Sequence, residues 1–273
     1  MISEITQVWL NLGVQKRVYL IGVVVPCFNE EFRFNSVYWK SLIENTKQVG
    51  VVWLFLNDGS SDNTESILDT FCASQDVFFL SLKKNVGKGN AVRMGFLYLL
   101  DNFPDIEEIS FLDADGAFAS DEVVSILKDS VNKKIPDFDI FITSRVKLSG
   151  TDIQRSQSRH IISRLLYTIV ARSWTWAPYD TQCGFKVFKV TDAFIKSLKD
   201  VFHTKWLFDI EIMTRLAIYL EQKPNIIEKP LSFWYEVGGG TMSWNSSLRI
   251  LKESFFIRRE ILKMLKLLRK SRK

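Results

Sequence analysis

Short apolar runs alternate with amphipathic segments along the first half of the chain. The apolar runs have the length and the β-branched and aromatic content of strands, and the segments between them carry apolar residues at helical spacing. Strands that alternate with helices predict βαβ units, and therefore an α/β fold with a mostly parallel, doubly wound sheet. The expected strands are Tyr19–Val25, Val51–Leu56, Val77–Leu82, Ile109–Leu112 and Asp139–Thr143, and the expected helices are Asn35–Lys47, Asp62–Ala73, Gly89–Leu100 and Ser120–Ser130.

Polar loops follow four of these expected strands. The carboxyl ends of parallel strands share one edge of a sheet, and open α/β sheets bind their ligands beyond that edge. Several polar loops at one edge are hard to explain by packing, so we expect a ligand site there. In chain order the loops are Pro26–Glu31 (PCFNEE), Asn57–Asp62 (NDGSSD), Lys83–Ala91 (KKNVGKGNA) and Asp113–Gly116 (DADG).

Two carboxylates, Asp113 and Asp115, leave the fourth expected strand one residue apart, where their charges repel each other. A divalent cation would relieve this repulsion. Mg²⁺ and Mn²⁺ prefer oxygen ligands, and Mg²⁺ typically binds one or two carboxylates together with substrate phosphates. An isolated DADG sequence is also typical of a simple turn. Beside the other three polar loops, it predicts that Asp113 and Asp115 bind Mg²⁺ or Mn²⁺.

The other loops supply further candidate ligand-binding side chains. Asp58 is expected to accept hydrogen bonds from a nucleobase or a ribose; the alternative is an aspartate that satisfies backbone N–H groups of its own turn. Glu30 and Asn29 are candidates for the same role. Lys88 lies in a glycine-containing turn before a helix, where backbone N–H groups and its charge suit a phosphate, although the Walker A pattern is not matched.

Composition excludes several classes of protein. The chain has 273 residues and 47% hydrophobic content, which is typical of a globular protein, and it has no apolar run long enough to span a bilayer. No signal-peptide pattern is present at the start of the sequence. The 3 cysteines are scattered, and with 2 histidines they form no disulfide framework or zinc motif. These features favour a cytoplasmic protein.

Positive charge is concentrated at the end of the chain. The whole sequence has a formal charge of +5, but residues 252–273 carry nine Lys or Arg and two Glu, which leaves a slight negative charge on the rest. Residues 241–273 are therefore predicted to form a basic amphipathic helix. We expect peripheral membrane attachment rather than a solvated terminal helix. The apolar stripe is Ile257, Ile261, Met264 and Leu268, and Lys252, Arg259, Lys263, Lys266 and Lys270 lie nearly opposite.

A second amphipathic segment spans residues 155–176, within a main domain expected to cover residues 1–240. It combines an apolar stripe with four flanking arginines and ends in Trp174 and Trp176. This pattern suits a bilayer interface, but a helix that packs on the sheet with solvated arginines fits it equally. A nucleic-acid partner is not expected, because the basic residues lack interleaved aromatic side chains.

Several motifs together resemble a known family. VVVPCFNEE, NDGSSDNT and DADG are similar in order and spacing to the family 2 glycosyltransferases, which have the nucleotide-sugar-binding GT-A fold. Four later motifs are similar to the polyprenyl-phosphate branch of that family, and in particular to its dolichyl-phosphate β-glucosyltransferases. These motifs are NVGKGNAVRMG (Asn85–Gly95), ITSR (Ile142–Arg145), YDTQCGFKVF (Tyr179–Phe188) and KWLFDIEIM (Lys205–Met213).

The resemblance implies a role for each matching residue. The donor would be a nucleotide sugar held with its metal, and the acceptor would bind nearby. For the donor, the resemblance implies that Pro26, Phe28 and Glu30 line a uridine pocket and that Asp58 holds the base. It implies that Asp113, Ala114 and Asp115 bind the sugar nucleotide and its metal, and that Arg145 and Lys186 face phosphates. It also implies that Gln182 lies near the sugar, and that Asp209 and Glu211 close the acceptor side.

The expected function is a metal-dependent, inverting transfer of a hexose, glucose from UDP-glucose, to a polyprenyl phosphate at the cytoplasmic face of the membrane. One alternative is a saccharide or other hydroxyl acceptor, which needs a carboxylate base such as Asp209; a phosphate dianion hardly needs one. Another is a nucleotide-sugar-binding subunit without catalytic activity. Asp209 and Glu211 would not share a helical face, and the alternative for Glu211 is a structural partner of a basic residue such as Arg215.

Overall fold

The chain divides into two units, which are described separately. The computed structural model describes residues 5–7, 18–75, 77–154, 174, 176–238 and 244–270. The first unit consists of Met1–Asp137 and Gly184–Val190, and the second of Phe138–Cys183 and Thr191–Lys273. Apart from Trp174 and Trp176, the amphipathic segment predicted at residues 155–176 lies outside the described residues.

Helices and strands alternate between residues 21 and 144, as the apolar pattern predicts. All five expected strands and all four expected helices are present, with ends that differ by at most two residues. In chain order the elements are β1 (Ile5–Gln7), β2 (Ile21–Cys27), α1 (Ser36–Thr46), β3 (Val51–Asn57), α2 (Thr64–Gln75), β4 (Phe78–Leu82), α3 (Lys88–Asn102), β5 (Glu108–Leu112), α4 (Ser120–Val131), β6 (Ile140–Ser144), β7 (Asp152–Gln154), β8 (Phe185–Lys189), α5 (Asp192–Ser197), α6 (Phe208–Leu220), β9 (Ile226–Pro230), β10 (Phe233–Tyr235) and α7 (Trp244–Lys270).

The first unit is built on a mixed sheet with strand order β1-β4-β3-β2-β5-β8. The four central strands are parallel, whereas β1 pairs antiparallel with β4 and β8 pairs antiparallel with β5. The sequence pattern predicts the parallel strands but not β8, which returns to the sheet from a distant part of the chain. The mostly parallel mixed sheet is confirmed.

Helices cover both faces of this sheet. The indole of Trp39 in α1 packs edge-on against Phe55, with ring centroids 5.0 Å apart. On the opposite face α3 approaches β2 closely: a Cβ on Gly95 would lie 2.6 Å from a methyl carbon of Val24, so only glycine fits there. Every residue of β3 and β5 is buried, as expected for strands with continuous apolar sequence between two helical layers. The doubly wound arrangement is confirmed.

Among its described residues, the second unit contains two parallel strand pairs and three helices. β6 pairs with β9, and β7 pairs with β10. α6 contacts both α5 and α7. Within the described residues, no helix has the length and hydropathy needed to cross a membrane.

The C-terminal helix α7 turns its apolar stripe towards the protein. Ile257, Ile261 and Met264 are completely buried, and Leu268 is partly buried. The helix predicted in the tail is present, but attachment to a membrane through this stripe is wrong, because the packed protein already covers it. The charge pattern of the tail instead places basic side chains on the surface of the unit.

Glu253 anchors α7 to the segment before α6. Its carboxylate accepts hydrogen bonds from the backbone N–H groups of Lys205, Trp206 and Leu207, at 3.0, 3.0 and 3.2 Å. The side chain is buried. Because a buried carboxylate that accepts several N–H groups fixes the backbone it binds, this single residue connects α7 to the segment that leads into α6.

Replacing Glu253 with glutamine is expected to lower the free energy of unfolding by about 1–3 kcal/mol, because a buried charge-assisted acceptor is lost. Urea unfolding followed by circular dichroism measures the change. Glu260→Gln is the matched control, since Glu260 lies on the same helix in a surface ion pair with Lys263; its effect should stay within about 0.5 kcal/mol. Equal effects of the two substitutions would contradict the anchoring role.

Candidate active site

Hydrogen bonds join the loops that follow β2 and β3. The N–H of Asn29 donates to the hydroxyl of Ser60 at 3.0 Å, and the Asn29 side-chain oxygen accepts from the N–H of Ser61 at 2.9 Å. The N–H of Glu30 donates to Thr64 Oγ1 at 2.7 Å. Asn29 has a positive φ of 53°. The Asn29 side chain therefore holds the two loops together, and the nucleotide contact predicted for it stays a prediction.

Asp58 organises the loop between β4 and α3. Its carboxylate accepts from the N–H groups of Val86 at 2.7 Å and Gly87 at 3.0 Å, and from the side-chain amide of Asn85 at 3.0 Å. The residue is buried. Asp58 therefore satisfies backbone N–H groups, and those groups belong to the next loop and not to its own turn. The predicted contact of Asp58 with a nucleobase or a ribose stays a prediction. This arrangement positions Lys88 at the start of α3.

Lys88 and Asp113 form an ion pair at the carboxyl edge of the sheet. The ammonium nitrogen lies 2.5 Å from Asp113 Oδ1, and both side chains are partly exposed. The N–H of Asp113 donates to the carbonyl of Gly184 at 3.0 Å. A Cβ on Gly184 would collide with the Asp113 carboxylate. Position 184 must therefore be glycine for Asp113 to lie where it does.

The DADG turn holds Asp115 in a partly buried position beside Asp113. Asp115 Oδ1 accepts from the N–H of Ala117 at 3.1 Å, and the carbonyl of Ala114 accepts from the indole N–H of Trp39 at 3.2 Å. Burial, and next the negative charge of Asp113, raise the pKa of Asp115 above its ordinary value. A positive charge placed near these carboxylates would favour their ionised forms.

The donor set of this turn fits a hard divalent cation. Within the described ranges, no group of three or more His, Cys, Asp or Glu side chains is placed to hold a metal ion. Asp113 and Asp115 are only two carboxylates, but Mg²⁺ typically needs no more than that when substrate phosphates and water complete its shell. The residues are therefore compatible with Mg²⁺ or Mn²⁺ bound together with a phosphate ligand.

Two lysines lie beside the ring of Phe111, the side chain that precedes this turn. Lys186 Nζ is 5.2 Å and Lys88 Nζ 5.5 Å from the ring centroid. Lys186 is fully buried and lies directly opposite Phe111 in the β5–β8 pairing. A buried ammonium group is costly unless it is compensated, and an aromatic face compensates it in part. The two lysines bring positive charge to the strand end that carries Asp113.

The residues predicted to line the uridine pocket differ in exposure. Pro26 lies at the end of β2, opposite Leu56 of β3. The ring of Phe28, directly after β2, is 40% exposed. An exposed aromatic ring at the carboxyl edge of a parallel sheet can stack on a planar base, so its position is compatible with the predicted role.

Glu30 is a buried carboxyl group that is only half satisfied. Its Oε1 pairs with the guanidinium of Arg33 at 2.5 Å, and its Oε2 has no hydrogen-bond partner within the described residues. Burial raises the pKa of Glu30 to about 7; Arg33 opposes the shift, and the charges of Asp115 and Asp113 add to it. The free oxygen makes Glu30 able to accept a hydrogen bond from a ligand hydroxyl.

In the second unit, Arg145 forms a bidentate pair with Asp180. The Nε–Oδ2 and Nη2–Oδ1 distances are 2.7 and 2.8 Å, and the guanidinium stacks on Trp234 at 5.2 Å. Glu228 in β9 accepts from the N–H groups of Tyr179 and Asp180. This frame fixes the orientation of Arg145, whose predicted phosphate contact would come from the rest of its planar group.

Gln182 and Asp209 lie close together in the second unit. Gln182 Nε2 is 3.5 Å from Asp209 Oδ2, and Asp209 is buried in the first turn of α6. Glu211, by contrast, is a structural residue. It accepts from Arg215 Nη2 at 2.6 Å and from the N–H of Thr204 at 2.9 Å. The expectation that Glu211 pairs with a basic residue such as Arg215 is confirmed.

The sequence pattern missed the residues that hold the site residues in place. Gly184, Asp180 and Glu228 act on Asp113 or Arg145, and Glu253 acts on the segment before Asp209. Asp180 and Gly184 lie within the YDTQCGFKVF motif, so the motif itself carries a signal for them. Glu228 and Glu253 lie far along the chain from their partners, and no local pattern identifies them.

Replacing Glu30 with glutamine is expected to change how stability depends on pH. The carboxyl has an ordinary pKa of 4.5 and a pKa of about 7 in the folded protein, so the folded state keeps a proton that the unfolded chain loses. Wild-type stability therefore falls as pH rises through this window, whereas glutamine does not titrate. The stability of Glu30→Gln relative to wild type should rise by up to about 3 kcal/mol between about pH 5 and about pH 8.

Urea unfolding at the two pH values measures this difference. Glu44→Gln, on the exposed side of α1, is the control for removing one carboxylate. A difference between Glu30→Gln and wild type that does not change with pH would contradict the raised pKa of Glu30.

Comparison with known proteins identifies relatives over most of the chain. The model of the family described as Glycosyl transferase family 2 matches residues 22–193. Dolichyl-phosphate beta-glucosyltransferase of Saccharomyces cerevisiae is 30% identical over 269 residues, which cover 91% of this chain and 77% of the relative. The proteins of the same name from Dictyostelium discoideum and Homo sapiens are 31% and 30% identical, over 88% and 87% of this chain and 74% of each relative.

Solved structures share the fold at low sequence identity. Glucosyl-3-phosphoglycerate synthase from Mycobacterium tuberculosis, in complex with phosphoglyceric acid, has a TM-score of 0.54 and 15% identity over 90% of this chain and 79% of its own. TarS from S. aureus, in complex with UDP-GlcNAc, has a TM-score of 0.55 and 13% identity over 90% of this chain and 66% of its own. The fold is therefore GT-A. Because the family model matches more than half of its length, the chain is a glycosyltransferase and belongs to glycosyl transferase family 2.

Proposed function

We propose that the chain transfers glucose from UDP-glucose to a polyprenyl phosphate, with inversion at the anomeric carbon. The relatives at about 30% identity are named for glucosyl transfer to dolichyl phosphate, and they support both the sugar and the class of acceptor. The observation that carries the proposal is the charged cluster at the end of β5, where Asp113 and Asp115 lie beside Lys88. A cluster that contains acidic and basic side chains can bind a cation and a diphosphate together.

The reaction would be a single displacement. An oxygen of the acceptor phosphate forms the new bond to the anomeric carbon while the bond to the UDP oxygen breaks, and both electrons of that bond leave with UDP. The sugar passes through an oxocarbenium-like state, as in other glycosyl transfers. Negative charge grows on the leaving diphosphate, so groups that bind it more tightly as it leaves accelerate the step.

The protein's own residues can supply much of that stabilisation. Asp113 and Asp115 would hold Mg²⁺ or Mn²⁺, which when bound serves as a Lewis acid towards the diphosphate. Lys88 is paired with Asp113. If a cation bound the Asp113 carboxylate, the Lys88 ammonium group could bind a phosphate oxygen instead. The backbone N–H groups at the start of α3 add a positive helix end. Glu30, with its free oxygen, would accept a hydrogen bond from the ribose.

The role of Asp209 depends on the chemical class of the acceptor. A phosphate monoester has a second pKa of about 6 and is mostly a dianion at neutral pH, so it needs no strong base. Asp209 would then orient the sugar or the acceptor together with Gln182, which lies 3.5 Å away. Arg145, oriented by Asp180, would bind phosphate. Lys186 is fully buried, so it would act through its charge and not by direct contact. A polyprenyl phosphate resides in a bilayer, so we further propose that the protein acts as a peripheral protein at the inner face of the membrane.

A transfer assay tests the proposal. The purified full chain is incubated with a radiolabelled sugar nucleotide, a short water-soluble polyprenyl phosphate and Mg²⁺ or Mn²⁺. We expect glucose transfer from UDP-glucose and loss of activity with a chelator. Transfer from GDP-mannose but not UDP-glucose would contradict the donor, and binding of UDP-glucose without transfer to any acceptor would contradict a catalytic role.

The same assay distinguishes a lipid phosphate from a hydroxyl acceptor. If a phosphate dianion attacks, Asp209→Asn should retain part of the activity, while Arg145→Gln and Lys186→Gln should lose more. If a hydroxyl attacks, the loss of its base should cost about 10²–10⁴-fold. Abolition of turnover by Asp209→Asn with little effect at Arg145 and Lys186 would favour the saccharide acceptor.

Alanine at position 184 is expected to reduce activity while the fold is retained. The added Cβ displaces the Asp113 carboxylate, and a shift of about 1 Å in a positioned group can lower kcat/KM about a hundredfold. Gly238→Ala is the matched control, because a Cβ there meets no atom within 4 Å. Steady-state kinetics and circular dichroism measure the two variants. Wild-type kinetics in Gly184→Ala would show that the position of Asp113 is not critical.

A further inference from the structure

The outward face of α7 carries apolar and basic side chains in alternation. Five residues follow one another at helical spacing on this face, which we call the outward stripe. Phe255 and Leu262 are 61% and 43% exposed, although they are large apolar side chains on the surface. The buried Ile257, Ile261 and Met264 lie on the opposite side of the helix. The outward stripe consists of Phe255, Arg259, Leu262, Lys266 and Arg269.

The exposed surface of α7 has a large excess of positive charge. Within residues 252–269, the described acidic side chains are Glu253, which is buried at the backbone N–H groups before α6, and Glu260. Glu260 lies 2.8 Å from Lys263 and 3.5 Å from Arg259. The surface therefore keeps a net positive charge along the helix. Its exposed cations are Lys252, Arg258, Arg259, Lys263, Lys266 and Arg269.

We propose that the outward stripe of α7 docks on the surface of an anionic lipid bilayer. A helix that lies in a bilayer interface combines apolar side chains, which enter the headgroup region, with cations that remain among the lipid phosphates. Phe255 and Leu262 lie between cations on the stripe, and the long stems of Arg and Lys let their charges reach past the apolar side chains to the headgroups. This surface is distinct from the apolar stripe that α7 buries within the protein.

A nucleic acid is a poorer partner for the same surface. Cations alone would bind a phosphate backbone, and such binding depends on charge and salt. Exposed Phe255 and Leu262 add nothing to phosphate contacts, and a leucine cannot stack on a base. The alternation of apolar and basic side chains therefore favours lipid.

Docking of α7 would bear directly on the acceptor side of the second unit. Glu253, on the same helix, holds the N–H groups of Lys205, Trp206 and Leu207, which immediately precede α6 and Asp209. The helix that meets the membrane thus supports the segment that positions Asp209. The purpose of docking, which is access to an acceptor in the bilayer, rests on the proposed function. The docking surface is inferred from the residues of α7 and does not depend on that function.

Vesicle binding of the full chain tests the docking surface. Sedimentation is measured with vesicles of phosphatidylcholine alone and with an equal mixture of phosphatidylcholine and phosphatidylglycerol. We expect binding only to the mixed vesicles, with weakening as salt increases. Phe255→Ser with Leu262→Ser should weaken partitioning about tenfold, and Arg259→Gln with Lys266→Gln should also weaken it about tenfold.

Matched controls separate this stripe from a general effect of surface changes. Leu267→Ser removes an exposed leucine of α7 that lies off the outward stripe. Lys40→Gln with Lys128→Gln removes two exposed cations from the first unit. Both controls should bind mixed vesicles like the wild type. Circular dichroism shows that all variants keep the fold.

Several outcomes would overturn the inference. These are absence of wild-type binding to mixed vesicles, stripe variants that bind like the wild type, or binding of double-stranded DNA at least as tight as binding of the mixed vesicles. Transfer to the water-soluble acceptor needs no bilayer, so it separates the two proposals. Transfer without vesicle binding would reject the docking surface alone, and vesicle binding without transfer would reject the proposed function alone.

Discussion

Electrostatic repulsion between Asp113 and Asp115 is the constraint around which the first unit is organised. The pair follows β5, and Asp115 is partly buried, so that a negative charge there is costly. Cations on neighbouring elements compensate this charge. Lys88 at the start of α3 pairs with Asp113, and Lys186 on β8 lies beside Phe111 in β5. This compensation is incomplete, since the pKa of Asp115 remains raised. A site with this balance is prepared for a further cation and an anionic ligand.

Many of the other acidic residues accept hydrogen bonds from backbone N–H groups. Asp58 binds the N–H groups of the loop before α3, and Glu228 binds those beside Asp180. Glu211 and Glu253 hold the segment that leads into α6. A buried carboxylate that accepts several N–H groups fixes a loop without any regular structure. Loops built in this way can present Lys88 and Asp209 with little freedom to move.

The C-terminal helix shows how one amphipathic pattern serves two surfaces. Its strongest apolar stripe completes the core of the second unit, where Ile257, Ile261 and Met264 are buried. Its other side keeps the cations, together with the exposed Phe255 and Leu262. A helix of this kind is anchored to its own protein by one face, and the opposite face is available to a partner.

The sequence by itself determined the order of the first elements and the place of the site. Continuous apolar runs predict buried parallel strands, and DADG marks the end of one of them, because both signals are local. It could not show that β8 returns antiparallel beside β5, that Gly184 leaves room for Asp113, or that Asp58 accepts hydrogen bonds from the N–H groups of the next loop. It also could not decide which face of α7 is buried. Those facts depend on contacts between residues far apart in the chain, which only the tertiary structure brings together.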